Sequence, residues 1–255
     1  MRPHSETLNR TRKDGTSDEK RWICLLLILV FLLSACGSGK TAEPAKTDEG
    51  SAEISTAAPE PTEDASDEAS EDIWKDGLMT LGVVEGDTYR NETMGFGVSL
   101  PGWVFGTSED IAAQNEWGKD TMDEDLQQKI AESDSYIDMM AESEDGLANI
   151  NVNVVNMKKV YSLLIDEEEY IEAALPEMPA QLEGIGCTNV KAEATTMKLD
   201  GEEHAAMTTY SELDGVPIYQ KLVTVQVSGY LFAITATSFG EDTTDDIFAQ
   251  FFKLS

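Results

Sequence analysis

Basic residues are scarce in this 255-residue chain: 18 Lys and Arg stand against 49 Asp and Glu, for a formal net charge of −31. Binding to nucleic acid through phosphates needs cations that displace counterions, so that class of function is excluded. A basic patch held on anionic lipid is excluded on the same ground. Only three cysteines are present, Cys24, Cys36 and Cys187, too few and too scattered for a disulfide framework. Two histidines, His4 and His204, with one thiol in the C-terminal half leave no zinc-type ligand set. No Gly-rich phosphate loop, no Gly-x-Ser-x-Gly elbow and no complete EF-hand loop occurs. No metal or cofactor is therefore expected, and no specific catalytic activity is legible.

What is present begins with an address. Arg2, Arg10, Arg12, Lys13, Lys20 and Arg21 precede an uninterrupted apolar run, Trp22 to Leu33. A spanning helix needs about 20 apolar residues, and this run is shorter. A helix packed on a core would keep a polar face, and this run has none and is followed at once by a Gly/Ser stretch. A basic start, a short apolar centre and a small-residue exit are the pattern of a secretory signal. The exit reads Leu33-Ser34-Ala35-Cys36-Gly37-Ser38-Gly39. It resembles the bacterial lipobox. That resemblance implies cleavage between Ala35 and Cys36 and a diacylglyceryl group on the Cys36 sulfur. Two or more acyl chains on one residue anchor a protein stably, whereas one chain is marginal. Removal of residues 1–35 would leave Cys187 as the one unmodified thiol and Arg90 as the one arginine.

Residues 37–72 carry eleven acidic residues, two lysines and three prolines, with Ile54 as the one large aliphatic side chain. Such a segment cannot bury enough apolar surface to offset its ordering entropy. It reads as an extended spacer, or as an acidic tail for basic partners or wall cations. From Ile73 the composition changes, and residues 73–255 read as one domain. The organisation expected is thus a signal over 1–35, a lipidated cysteine and tether over 36–72, and a single domain over 73–255.

Within the domain, Gly82-Val83-Val84 suggests a short strand, and Phe96, Val98 and Leu100 alternate as a half-buried strand stopped by Pro101-Gly102. Thr107 or Ser108 can cap a helix running to Trp117. Thr121 opens a capping-box spacing, and Met122, Leu126 and Ile130 recur as one apolar helix stripe. Strands over 136–141 and 147–156 flank an acidic turn. In the second, Ile150, Val152 and Val154 alternate with Asn149, Asn151 and Asn153, which predicts one buried face and one wet face. Asp166 with Glu169 opens a third helix, interrupted by Pro176 and Pro179 and ended by Gly184 and Gly186. Asp200-Gly201, Asp214-Gly215 and Ser228-Gly229 are hairpin turns joining four strands over 189–198, 204–213, 218–227 and 231–239. Thr243 caps a last helix that places Ile247, Phe248, Phe251 and Leu254 inward. Strands in runs with helices between them give an α+β fold with a mainly antiparallel sheet.

The stretch from Tyr89 to Trp103 (YRNETMGFGVSLPGW) resembles the opening of PsbP/Mog1-like domains, particularly those of Firmicutes lipoproteins. Tyr170, Leu182 and Gly186, the turns at Gly201 and Gly215, Tyr219-Gln220 and Phe251-Phe252 fit the same layout. The resemblance covers residues 80–255. It implies a sheet of about six antiparallel strands flanked by helices, and binding or assembly roles without catalysis.

Several side chains could carry chemistry. Cys187 and His204 could pair as nucleophile and base. Acidic clusters at Asp120 to Asp125, Glu167 to Glu169 and Asp242 to Asp246 suit helix dipoles. The asparagine row could hydrogen-bond a polar ligand such as a sugar, or could be a solvated face. Trp103, Phe105 and Trp117 could line a ligand groove or fill the core. The reading expected is a lipid-anchored, extracytoplasmic, non-catalytic module on the membrane of a Gram-positive type bacterium, with a surface or secreted protein as partner. The alternatives are a wall-polysaccharide hydrolase with paired carboxylates about 5–10 Å apart, and an extracytoplasmic small-ligand-binding protein.

Overall fold

The computed structural model describes residues 81–117, 123–160 and 165–254. The signal, Ala35, Cys36, the tether, Thr121 and Met122 lie outside them. Eleven strands and six helices form among the described residues. The chain runs β1 (Val83–Glu85), β2 (Thr88–Asn91), β3 (Phe96–Ser99), β4 (Trp103–Phe105), α1 (Ser108–Gln114), α2 (Asp123–Glu132), β5 (Ser135–Ser143) and β6 (Ala148–Asn156). It continues through α3 (Met157–Val160), α4 (Glu167–Ala174), α5 (Met178–Gly184), β7 (Thr188–Leu199), β8 (Glu202–Leu213), β9 (Val216–Val227), β10 (Tyr230–Phe239), α6 (Thr244–Phe248) and β11 (Phe251–Lys253).

The fold is α+β, with two antiparallel sheets in place of the one sheet of about six strands expected. One has four strands in the order β1-β2-β3-β11, the other seven in the order β4-β5-β6-β10-β9-β8-β7. The short strands at the N-terminal end account for much of the difference. Three or four residues are too few to show a period, so β1, β2 and β4 leave little trace in the hydrophobic pattern.

The meander β7 to β10 forms where the turn dipeptides placed it. Asp214 and Gly215 both adopt positive φ, 52° and 79°, as the tight mirror-image hairpin turn requires. Thr107 caps α1 by a reciprocal capping box with Asp110, and Asp166 caps α4 likewise with Glu169. The last helix is shorter than its pattern suggested. It ends at Phe248, and Phe251 lies on β11, paired with Val98 of β3. Thr243 makes no side-chain cap, and Asp242 Oδ1 instead accepts from the Thr244 amide at 3.1 Å. The open edge of β3 supplies backbone partners that a one-turn helix extension could not match.

The central strands β6 and β10 of the seven-stranded sheet are buried on both faces, while the edge strand β7 is largely exposed. The sheet's first face packs against the four-stranded sheet through Val152, Val154, Phe232 and Ile234, which meet Tyr89, Val98, Leu100 and Phe251 in one core cluster. Ile130 of α2 and Ile247 and Phe248 of α6 close that cluster. The second face carries α4 and α5, whose Tyr170, Ile171 and Leu182 pack with Met207, Leu222 and Leu231. Ile111 of α1 packs on Ile137 of β5 at the other side of the same face.

Gly97 marks a close approach inside the small sheet. A methyl there would lie 2.6 Å from the Phe252 ring and 2.7 Å from the Tyr89 carbonyl oxygen. The carbonyl belongs to the paired strand and cannot rotate away. Gly97→Ala should therefore cost about 1–3 kcal/mol, read as a melting temperature lower by roughly 5 °C.

Candidate functional sites

Asp138 sits at a β-bulge between Ile137 and Met139 in β5 and is buried. The bulge turns a carboxyl into the layer between the sheets. It accepts from the Gly82 amide at 2.9 Å, from Asn91 Nδ2 at 2.7 Å and from the Tyr89 hydroxyl. Asn91 Oδ1 in turn accepts from the Met94 amide at 2.8 Å. Burial raises the Asp138 carboxyl above the usual carboxylate range, against the pull of its three donors. Burial also raises the Tyr136 phenol, with the Asp138 charge adding to it. The cluster ties the two sheets together.

Glu167 opens α4 and staples it to the large sheet. Its carboxylate accepts from the Gln226 amide at 2.8 Å, the Ala205 amide at 3.3 Å and His204 Nδ1 at 3.2 Å. Gln226 Nε2 donates to the Ile165 carbonyl at 2.9 Å. His204 is thereby committed to a structural carboxylate, and the edge of the Phe96 ring system packs on it at 5.9 Å. Cys187 is buried on the second face, immediately before Thr188, which pairs with Glu212. His204 lies eight residues before Glu212 on the same strand, roughly 25 Å away. The structure does not bring the two together as nucleophile and base.

The asparagine row is not a wet face. Asn151 and Asn153 are 2% and 3% exposed, because helices flank this face on both sides. Register places Val104, Glu142, Asn149 and Thr237 in one row across β4, β5, β6 and β10. The next row holds Met140, Asn151 and Thr235, and the one after it Ile137, Asn153 and Ala233. Thr209 donates to Gln220 Oε1 at 3.3 Å, and Gln220 Nε2 to Thr237 Oγ1 at 3.1 Å. Asn151 Nδ2 reaches the Thr235 carbonyl at 3.4 Å. Oδ1 of Asn151 and Oδ1 of Asn153 are buried and meet no hydrogen-bond donor.

Trp103 and Phe105 lie on β4 and Trp117 follows α1. All three are partly buried against the cluster between the sheets, and the Trp117 ring lies 5.8 Å from that of Tyr136. The acidic clusters at Glu167 to Glu169 and at Asp245 and Asp246 occupy first helical turns. Among the described residues, no group of three or more His, Cys, Asp and Glu side chains could hold a metal ion. None of the described helices is long and apolar enough to cross a membrane.

Asp138, and the contacts of Glu167 beyond its helix dipole, escaped the sequence reading. The one signal for Asp138 was an acid inside an apolar strand, Tyr136-Ile137-Asp138-Met139. Glu167 was masked by its acidic neighbours, since three successive glutamates at a helix start all suit the dipole.

No protein-family model matches the chain, and no curated protein matches it. Among solved structures, the crystal structure of LpqN, involved in cell envelope biogenesis of Mycobacterium tuberculosis, is similar over 48% of this chain and 80% of that one. Sequence identity is 13% and the TM-score 0.31. A likeness that low decides neither fold family nor role.

Proposed function

We propose that this chain is a lipid-anchored lipoprotein on the extracytoplasmic face of a bacterial membrane, carrying one PsbP/Mog1-like domain that binds or supports a partner without catalysis. The observation that carries the reading is Leu33-Ser34-Ala35-Cys36 closing a short apolar run behind a basic start. The acidic, proline-bearing stretch after it suits a spacer between membrane and domain. The domain's one described histidine is tied to Glu167, far from its buried thiol. A partner on the outer surface, either a surface or a secreted protein, suits a module held there by lipid.

The test is metabolic labelling with an alkyne fatty acid in a bacterial host, followed by membrane fractionation. The wild-type chain should take up label and sediment with membranes. Cys36→Ala should lose at least nine-tenths of the label and leave the membrane fraction or keep its signal uncleaved, since stable anchoring needs the acyl chains. Equal labelling and equal retention of Cys36→Ala would overturn the reading.

A further inference from the structure

We propose that the buried amide row on the second face of the large sheet is a binding site for a primary ammonium group on a slender chain, a lysine side chain or an aliphatic diamine. This face is open at the β4 edge of the sheet and covered farther along β6. Val104 at the edge is 66% exposed, Glu142 and Asn149 are half-buried, and Asn151 and Asn153 are almost fully covered. The Asn151 and Asn153 amide oxygens there have no donor. Hydrogen bonding of Asn151 Nδ2 to the Thr235 carbonyl fixes which end of that amide is the oxygen. The neighbouring Thr209–Gln220–Thr237 chain runs by its own bonds, Thr209 to Gln220 and Gln220 to Thr237, and none of these reaches the Asn151 or Asn153 oxygen.

Two adjacent buried acceptors without donors are rare in a native interior and costly to keep. What they lack is a donor, and an ammonium is the side-chain-like group that brings three donors and no acceptor. A sugar hydroxyl would bring lone pairs that need donors of their own. A carboxylate or phosphate would set oxygen against oxygen. The charge pattern agrees. β4, β5, β6 and β10 contain no lysine or arginine, and Glu142 stands opposite Asn149 in register. Burial raises the Glu142 carboxyl, and an ammonium beside it would reverse that cost. The strongly acidic chain also concentrates cations near its surface. The site does not depend on the anchor, so binding by the purified chain and lipidation in the cell fail or succeed separately.

The experiment titrates the purified full chain with 1,5-diaminopentane, with Nα-acetyl-lysine amide, and with the permethylated diamine, which has the same charge and no N–H. Calorimetry reads affinity, and NMR reads the side-chain amide signals of Asn151 and Asn153. Saturable binding of either primary amine is expected, with both asparagine signals moving. The permethylated probe should bind at least about tenfold more weakly. Preference for the diamine would identify a free polyamine-like ligand, and preference for the acetyl-lysine amide a peptide lysine. Asn151→Ala with Asn153→Ala, and separately Glu142→Gln, should weaken binding about tenfold or more, while Asp246→Asn on α6 should leave it unchanged. No saturable binding, equal affinity for the permethylated probe, still asparagine signals in the wild type, or unchanged binding by the double variant would each overturn the proposal. The NMR titration stands on the wild-type chain, so a double variant that failed to fold would not remove the test.

Discussion

Asp138→Ala should lower the melting temperature by about 10 °C, the largest effect of any single substitution away from the hydrophobic core. Removing the carboxyl leaves the Gly82 amide, the Tyr89 hydroxyl and the Asn91 amide without their acceptor inside the inter-sheet layer. Each buried donor left without its acceptor costs about 1–3 kcal/mol. A domain of this size loses roughly 2–4 °C per kcal/mol. Asp138→Asn preserves volume and tests charge. Its amide oxygen can still accept, but its NH2 would face donors, so a smaller loss is expected. The pH dependence follows from the raised carboxyl. In the folded state Asp138 holds its proton above the ordinary value of 3.8. Its contribution to stability is therefore complete below that value and is lost as pH rises through the folded-state titration. The melting-temperature difference between wild type and Asp138→Asn should accordingly shrink as pH is raised from about 4 toward neutrality. A constant or growing difference would show that the carboxyl is not held in its raised state.

Glu167→Ala should cost about 2–4 kcal/mol, since it orphans two backbone amides and one imidazole nitrogen together. The loss should be local as well as global. Hydrogen exchange at the Gln226 and Ala205 amides should accelerate, because Glu167 is their acceptor and α4 is what covers them. Glu167→Gln retains one acceptor oxygen and should fall between wild type and the alanine variant. Glu168→Ala removes the same kind of charge from the same turn but breaks no such contact. It should change the melting temperature by less than about 2 °C, on the scale of a single charge near a helix end. Equal effects of the two substitutions would reduce Glu167 to a helix-start charge.

The contrast between these two acids and the asparagine row shows how far the chain could be read in advance. The β7 to β10 meander was legible because turn dipeptides are local. Asp214-Gly215 must turn whatever surrounds it, and two-residue alternation then follows along each strand. The capping boxes at Thr107 and Asp166 were legible for the same reason. Phe251 was not. Its spacing from Ile247 and Phe248 fits a helix, and only the free edge of β3 gave it a better set of backbone partners. Asn149, Asn151 and Asn153 showed their alternation plainly, and the alternation is real. What covers the polar side of a strand, however, depends on helices from distant parts of the chain, here α1 on one flank and α4 and α5 on the other. Trp103, Phe105 and Trp117 could be named as a group, while their placement against the core between the sheets required the second sheet.

By itself the amino-acid order determined charge, the shortage of cations, the basic-apolar-small pattern ending at Cys36, the hairpin turns and the helix starts. Each of these is set by a residue and its near neighbours, through backbone preference, local hydrogen bonding or solvation of a short segment. Tertiary structure alone decided that there are two sheets, that Asp138 joins them, that Glu167 and not its neighbours holds α4, and that two asparagine oxygens end up covered and without donors. Those outcomes depend on groups far apart in the chain meeting in space, as Asp138 meets Gly82 and Tyr89. Burial, which sets the cost of a polar group, exists only once such groups have met.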